Sequence, residues 1–530
     1  MADKNDKKDI VDKKDINGDI GNNCLKDSSN LSIDEMASFC KRKGFVYPNS
    51  EIYGGMAGFF DYGPLGVELK NNIKQQWWNY HVVKRDDVVG IDGAIITNPN
   101  VWKASGHVEN FDDVMVECKN CKTRHRADAL VEDALDIQAD GLSSDDLTKL
   151  INENNIKCPK CGSEEFEPAS KFNLMFSTFV GPKSSDETRA FLRPETAQLI
   201  FTNFRLVMEN ARLKFPFGIA QIGKAFRNEI APRHFLFRCR EFEQMEIEYF
   251  IHPEKYDCPF IDEVKEIVAQ IISADMQEKG EQEKEFKISD AVKNKIISTQ
   301  WHAYWLAKEH QWFTELGINP KHLRLRQHLK NEKSHYALDT WDLEYKFPFG
   351  WKELQGVANR TDFDLNQHMK FSKQDLSVFD EDTKKKILPH VVAEPSLGVD
   401  RSFLVFMFDA YTYDKERENI VLKLHPKLAP IKAAVFPLVN KDNLISLSRE
   451  IINNLNEEFN VVYDKSGSIG RRYARNDESG TPFCITVDFD SLEKKDVTIR
   501  DRDSAKQIRV KIENLRDTLR KLINKEIKFE

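Results

Sequence analysis

Arginines, carboxylates and one ring recur at alternate positions between Phe226 and Glu246, and that spacing is the first sign of chemistry in the chain. Phe226-Arg227-Asn228-Glu229 and the run from Phe237 to Glu246 favour strands, and Ala231-Pro232-Arg233-His234 between them reads as a turn. The spacing predicts an antiparallel hairpin. Side chains on a strand alternate faces, so Arg238, Arg240, Phe242, Gln244 and Glu246 share one face, and Arg227 shares a face with Glu229. Planar guanidinium forks pair with phosphate oxygens. A ring offers a purine a stacking surface, and a carboxylate such as Glu229 can accept from an exocyclic amine. On spacing alone, a salt-bridged and solvated sheet face competes with a nucleotide site.

Two further clusters carry possible chemistry. Glu394-Pro395-Ser396-Leu397-Gly398-Val399-Asp400-Arg401 follows a β-like run, Ile387 to Ala393, and precedes an apolar helix, Ser402 to Met407. Gly398 at the helix start allows close packing, and Arg401 falls in the first turn. Cys118-x-x-Cys121 and Cys158-x-x-Cys161 supply four thiols in two knuckles, the set that tetrahedral, structural Zn²⁺ requires. Four reduced thiols without metal are the alternative.

The elements that must position these groups are spread over 530 residues, enough for two or three domains. Residues 1–30 are Lys, Asp and Asn with few apolar positions, and are expected to form a disordered charged tail. Ser32 is placed to cap a first helix. Residues 112–170 form a Cys-rich, zinc-ribbon-like insert, and 254–335 a charged, Trp-containing segment that reads as a helical insert. Two prolines in His425-Pro426-Lys427-Leu428-Ala429-Pro430 mark a linker. Beyond it, strand and helix patterns alternate over 431–530 and predict a small α/β domain, closed by an amphipathic helix through Ile508, Ile512, Leu515, Leu519 and Leu522.

The composition is 40% hydrophobic and 31% charged, with a net charge of -8, which excludes a globally basic coat protein but not a local basic surface for nucleic acid. No apolar run approaches bilayer length, and the start has no secretory core, so no membrane partner is expected. Nine cysteines, an odd number, suit a reducing, cytoplasmic setting.

Longer strings carry a resemblance. Phe-Arg-x-Glu at 226–229 with the later Arg238 and Phe242 resembles motif 2 of class II aminoacyl-tRNA synthetases, and Gly398-x-x-Arg401 resembles their motif 3. Gly63-Pro64-Leu65-Gly66 with the helix after it is similar to the motif 1 region, the dimer interface of that class. Ser50–Gly55, Asp61–Gly66, Ala104–His107, Arg124–Asp128, Leu192–Gln198, Glu353–Gly356 and Gly470–Arg475 resemble glycyl-tRNA synthetases of the homodimeric type. The resemblance implies an α+β fold: a class II antiparallel sheet flanked by helices over 31–425, with its inserts, plus a C-terminal anticodon-binding domain. It implies a glycine–tRNA ligase using ATP, Mg²⁺ and tRNA(Gly), acting as a homodimer.

By motif, Arg227, Glu229 and Arg401 would carry the catalytic work, and Asn228, Phe237, Arg238, Arg240, Phe242, Glu353, Leu354 and Gly398 would complete the ATP site. Glu353 would be the Mg²⁺ candidate. Arg126, Glu195, Phe242, Gln244, Glu246, Glu394 and Ser396 would hold glycine, and Arg471, Arg472 and Arg475 the anticodon. A histidyl, prolyl or threonyl enzyme, or a non-catalytic nucleic-acid-binding paralogue, is the competing reading.

Overall fold

The computed structural model describes residues 31–529 except 138, 140, 333–336 and 382, so the tail expected over 1–30 lies outside the described residues. Helix α1 (Ile33–Lys43) begins as expected. Ser32 Oγ accepts from Glu35 N and Glu35 Oε2 accepts from Ser32 N, satisfying two helix-end donors reciprocally. Helix α2 (Pro64–Trp78) follows, with Pro64 in its first turn.

Strand β1 (Val88–Ile91) comes next. The cysteine-bearing insert then contributes β2 (Asp112–Glu117), β3 (Arg124–Arg126), helices α3 (Ala127–Leu135) and α4 (Ser144–Glu153), and β4 (Ser170–Asn173), in the sheet order β3-β2-β4. The body continues with β5 (Phe217–Phe226), β6 (Glu241–Ile251), β7 (Val268–Ile272), β8 (Lys284–Lys287), α5 (Gln300–Glu315), β9 (Leu323–Gln327), β10 (Asp339–Phe347), β11 (Gly350–Asn359), β12 (His390–Gly398) and α6 (Val399–Ala410). Nine strands join in the order β8-β7-β9-β10-β11-β12-β6-β5-β1. The pairings are antiparallel except β5 with β1 and β7 with β9.

The segment expected to be a helical insert over 254–335 is thus a mixture. It supplies α5, but it also supplies β7, β8 and β9, which extend the central sheet. Strand β8 carries little period-two signal, because Lys284–Lys287 lies at the sheet's edge and is mostly exposed, whereas Leu323-Arg324-Leu325-Arg326 of β9 does alternate.

Alternation on β6 divides the two faces. Met245, Ile247, Tyr249 and Ile251 are buried in the main core with Trp301, Trp305, Trp312, Phe403 and Phe406 of α5 and α6. Phe242, Gln244, Glu246 and Glu248 take the opposite face, where Phe250 farther along packs against Phe201 and Phe204 of the helix Ala197–Ala211. That face holds the site described below.

After α6, a hairpin of β13 (Tyr411–Asp414) and β14 (Asn419–Leu422) leads into the C-terminal unit. There β15 (Ala433–Pro437), α7 (Asp442–Leu455), β16 (Val461–Tyr463), α8 (Ile469–Ser479), β17 (Phe483–Val487), β18 (Asp496–Asp501), β19 (Gln507–Lys511) and α9 (Leu515–Ile523) build a five-stranded sheet ordered β16-β15-β17-β18-β19. The final helix expected from Ile508 starts at Leu515 instead. Ile508 pairs with Ile499 in a strand, and its spacing to Leu515 matched a helix by coincidence.

The hairpin and α8 interlock. Arg500 Nη1 and Nη2 donate to Asp477 at 2.8 and 2.9 Å. Arg417 Nη1 donates to Arg502 O at 2.6 Å, and Asn419 Nδ2 donates to Ala474 O at 3.1 Å. These buried charges are paired and hydrogen-bonded, as a low-dielectric joint requires.

Candidate active site

The β5–β6 ladder stops at Phe226 opposite Glu241, well short of the four-residue turn expected from sequence. Residues 227–240 instead form a long loop with a 3₁₀ turn at Phe235–Phe237. His234 and Phe235 have φ of 61° and 54°, so strict alternation fails there. The face argument therefore holds for Phe242, Gln244 and Glu246 but not for the residues before them. Arg238 reaches the cavity from the loop. Arg240 does not: its Nε and Nη2 donate to Glu229 O at 2.9 and 2.7 Å, and its Nη1 to Ala57 O at 3.0 Å. Asn228 also stays outside, giving its N–H to Leu174 O at 2.8 Å.

A cavity of about 440 Å³ opens between this loop, strands β6 and β10–β12, the start of α6 and the roots of the insert. Arg227, Glu229, Phe237, Arg238, Phe242, Glu353, Leu354, Gly398 and Arg401 all line it. Arg227 Nε donates to Pro194 O at 3.1 Å, and its guanidinium lies 5.5 Å from the Phe111 ring and 5.3 Å from the Phe242 ring. Arg401 lies 4.6 Å over the Phe237 ring and 3.3 Å from Glu353 Oε2. Despite desolvation, Arg401, Arg227 and His328 hold Glu353 below the ordinary carboxylate range.

Arg401 is placed by the buried Asp400 beside it. Asp400 accepts from Lys70 Nζ of α2 at 3.2 Å, from the Tyr62 hydroxyl, and from Glu243 N of β6 at 2.8 Å. Lys70 also meets Glu243 at 3.3 Å. Deleting the cation leaves the buried Asp400 without a counter-charge, while Glu243 keeps Lys74 at 3.1 Å, so Lys70→Met is expected to cost about 3 kcal/mol of stability in urea unfolding. A loss below about 1 kcal/mol would show that the network relaxes instead.

The remaining wall is acidic. Arg126, Glu195, Gln244, Glu246, Glu394 and Ser396 line it as the glycine candidates. Glu246, Glu248 and Glu394 are buried, with carboxylate oxygens within 4.8 Å of one another. Arg360 is a close cation here, donating to both Glu394 oxygens at 2.9 and 3.0 Å while also binding Asp364. Glu195 accepts from Gln198 at 3.1 Å and pairs with His107 at 3.2 Å. Burial, opposed by Arg360 and reinforced by Glu246 and Glu195, pushes Glu394 up to about 8. Burial and Glu195 raise Glu246, and burial and Glu394 raise Glu248 well above the usual range. Glu248 has both oxygens buried without a hydrogen bond among the described residues. Several carboxyls crowded round one guanidinium make a site that favours a small cation.

Arg193, two residues before Glu195, anchors this stretch of chain to β5. Its guanidinium is buried and donates to Lys224 O at 2.6 Å, Gly93 O at 2.7 Å and Gln221 Oε1 at 3.2 Å. The approach is so close that a Cβ at Gly223 would sit 2.0 Å from Arg193 Nη2, so only glycine fits there.

Comparison with known proteins bears on what such a cavity serves. Residues 182–410 match the model of the tRNA synthetase class II core domain (G, H, P, S and T), and residues 432–522 match that of the anticodon binding domain. A glycine–tRNA ligase of Bacillus cereus is 47% identical over 500 residues, 93% of this chain and 99% of that protein. Those of Geobacillus thermodenitrificans and Acetivibrio thermocellus are 47% and 46% identical, covering 94% and 91% of this chain and 99% and 97% of their own. The chain belongs to the glycine–tRNA ligase family. Its α+β architecture is the class II synthetase core followed by an anticodon-binding domain.

Within this glycine–tRNA ligase fold, the arginines expected to meet the anticodon part company. Arg471 is exposed at the start of α8. Arg475 pairs with Asp464 and donates to Ser466 O at 2.7 Å. Arg472 is 3% exposed and donates to Pro437 O and Gly467 O at 2.6 and 3.1 Å, so it braces the domain interior and is not available to a ligand.

The four thiols do come together. Cys118 Sγ lies 3.6 Å from Cys161 Sγ, and Cys121 Sγ lies 3.7 Å from Cys158 Sγ. Metal–sulfur bonds of about 2.3 Å in a tetrahedron put sulfurs about 3.8 Å apart, so the donor set fits Zn²⁺.

Sequence reading missed Phe111, Asp113, His328, Thr340 and Asp342, which also line the cavity. His328 Nε2 meets Asp342 Oδ2 at 2.8 Å. They lie far apart in the chain, and none sits in a string that had been singled out. Arg193 lies within Leu192–Gln198, and only its buried tertiary contacts reveal what it does.

Proposed function

We propose that the chain ligates glycine to tRNA(Gly). The carboxylate of glycine attacks the α-phosphorus of ATP, pyrophosphate leaves, and glycyl-adenylate forms. The terminal ribose hydroxyl of the tRNA then attacks the glycyl carbonyl, and AMP leaves. The observation that carries this reading is one cavity lined by the buried Glu246 and Glu394, with Glu248 close behind them, and by Arg227 and Arg401: a pocket for one ammonium next to guanidiniums for phosphates. ATP–pyrophosphate exchange, run with each amino acid in turn, tests it. Exchange only with glycine is expected, and exchange driven by histidine, proline or threonine overturns it.

In this reading Arg227 holds the α-phosphate and the attacking carboxylate, and Glu229 reads the adenine amine while Phe242 carries the base. Arg238 and Arg401 draw on the distal phosphates. Developing charge on the crowded phosphorus is met by groups already in place, which lowers the barrier without reorganisation. Glu353 is the Mg²⁺ candidate: its carboxylate would release Arg401, now 3.3 Å away, and help hold the ion, since Mg²⁺ prefers oxygen ligands shared with substrate. Arg126 faces the glycine end, and Glu195, Gln244 and Ser396 help orient the ammonium.

The pocket's protonation predicts a pH dependence with a definite sign. Burial pushes Glu394 up to about 8, so in the empty pocket it holds a proton at pH 7 that an ammonium must displace, while Glu248, raised well above the usual range, keeps its own. Glycine affinity is expected to rise with pH, by up to about tenfold per unit, and to level off above 8. Calorimetry from pH 6 to 8.5 in buffers of different ionisation enthalpy reads both the affinity and the released proton. An affinity that falls over this range contradicts the assignment.

The thiol cluster is read as a structural Zn²⁺ site, residues 31–425 as the catalytic body and 431–530 as the anticodon unit, with Arg471 and Arg475 toward tRNA. Homodimer formation is supported by exposed Ile52, Tyr53 and Met56 on the loop before α2, which the single chain leaves uncovered. No described helix is long and apolar enough to cross a membrane, and the cytoplasm is the proposed setting.

A further inference from the structure

Both ends of the cysteine-bearing insert are rooted in the wall of the cavity. Phe111 and Leu174, which bracket it, line the cavity and are joined by Leu174 N donating to Phe111 O at 2.9 Å. Asp113 on β2 and Arg126 on β3 line it as well. The three-residue strand β3 links the two sites directly. His125 Nε2 lies 3.4 Å from Cys158 Sγ, and the next residue, Arg126, reaches the cavity. Successive side chains on a strand point to opposite faces, so one strand serves thiols on one side and substrate on the other.

The insert also holds the loop that follows β5. Leu174 O accepts from Asn228 N at 2.8 Å, and Asp133 of α3 pairs with Arg233 at 3.3 Å. The insert's own core is small, and Cys118 and Cys158 are among its buried members. A module of this size draws much of its folding energy from a bound metal.

We propose that metal loading of the four-thiolate site sets the shape of the substrate cavity, with β3 transmitting it by fixing Arg126. The metal ties Cys158 and its neighbours together, His125 packs on that knuckle, and Arg126 is then held between Asp113 at 3.5 Å and Asp128 at 3.1 Å. Without metal, β2 and β3 lose their clamp. Arg126, Asp113 and Phe111 leave the wall, and Arg227 loses one of its two flanking rings. This inference rests on the reading that the cavity takes glycine and ATP.

The test uses the full-length protein and a non-hydrolysable glycyl-adenylate analogue, glycyl-sulfamoyl adenosine, as the probe. Elemental analysis first reads the metal content, about one Zn²⁺ per chain being expected. Chelation is expected to weaken analogue binding in calorimetry by about ten- to a hundredfold, and Zn²⁺ to restore it. Amide exchange is expected to rise in 111–126 and 227–240 while strands β6 and β12 stay protected.

Arg126→Ala, with its metal retained, is expected to show a similar loss, and chelation of that variant to add little, because both act through one contact. Unchanged analogue affinity after metal removal overturns the proposal, as does a full additional loss in Arg126→Ala. A chain that neither contains nor takes up Zn²⁺ overturns the thiolate site itself. Failure of the glycine reading shows separately, as a metal-loaded protein that does not bind the analogue at all.

Discussion

Arg227→Ala is expected to lower glycine-dependent ATP–pyrophosphate exchange by about a thousandfold, the effect of removing one preorganised charge from a reacting oxyanion. The fold should survive. Among the described residues the Arg227 side chain makes one hydrogen bond, from Nε to Pro194 O, and its two ring neighbours, Phe111 and Phe242, belong to other elements. The melting temperature is expected to move by no more than about 2 °C, because the side chain is only partly buried. Arg227→Lys should recover little, since an ammonium cannot present two parallel donors to one phosphate. Near-normal exchange in Arg227→Ala would remove the group from the reaction.

The second large effect is expected at the acidic end. Glu246→Gln keeps the volume and still offers an acceptor to the Thr196 hydroxyl, but deletes a buried negative charge. Glycine binding is expected to weaken by about a hundredfold, roughly the worth of one desolvated charged hydrogen bond, with ATP affinity changed by less than about twofold. The same change removes a repulsive neighbour from Glu394, whose carboxyl should then ionise at lower pH. The rise of glycine affinity with pH should therefore shift to lower pH in this variant. If ATP and glycine weaken together, Glu246 supports the cavity as a whole and does not read the ammonium.

What the sequence disclosed depended on how local the signal was. Ser32 and Glu35 announce a helix start within four residues, and that cap forms. Gly398 and Arg401 fall at the N-cap and in the first turn of α6, because a strand's end and a helix's start are both local events. Phe242, Gln244 and Glu246 could be placed on one face because they lie inside a true ladder. Arg238 and Arg240 could not, because the ladder ends at Glu241 and only tertiary contacts decide where a loop arginine points. Arg240 found two carbonyls, while Arg238 stayed at the cavity. Arg360, which organises the acid pocket, had no local mark at all. Its partners Glu394 and Asp364 meet it through the pairing of β11 with β12 and the turn of the next helix. Polar edge strands such as Lys284–Lys287 were illegible for a different reason: a half-solvated edge does not need apolar alternation.

The joint between the hairpin β13–β14 and helix α8 has a consequence for how length is read. Helix α6 carries Arg401 at its first turn and runs directly into that hairpin, and the hairpin is pinned to α8 by Arg417, 3.4 Å from Asp477 Oδ2, and by Asn419, which donates to Ala474 O. From the Arg401 guanidinium to the exposed Arg471, each element is thus tied to the next by hydrogen bonds or an ion pair. A molecule that must touch both ends at once is gauged against a fixed span, like a workpiece in callipers. Loosening the pin at Asp477 is expected to blunt that gauge, so that misfitting tRNAs are charged while glycine-dependent pyrophosphate exchange stays unchanged.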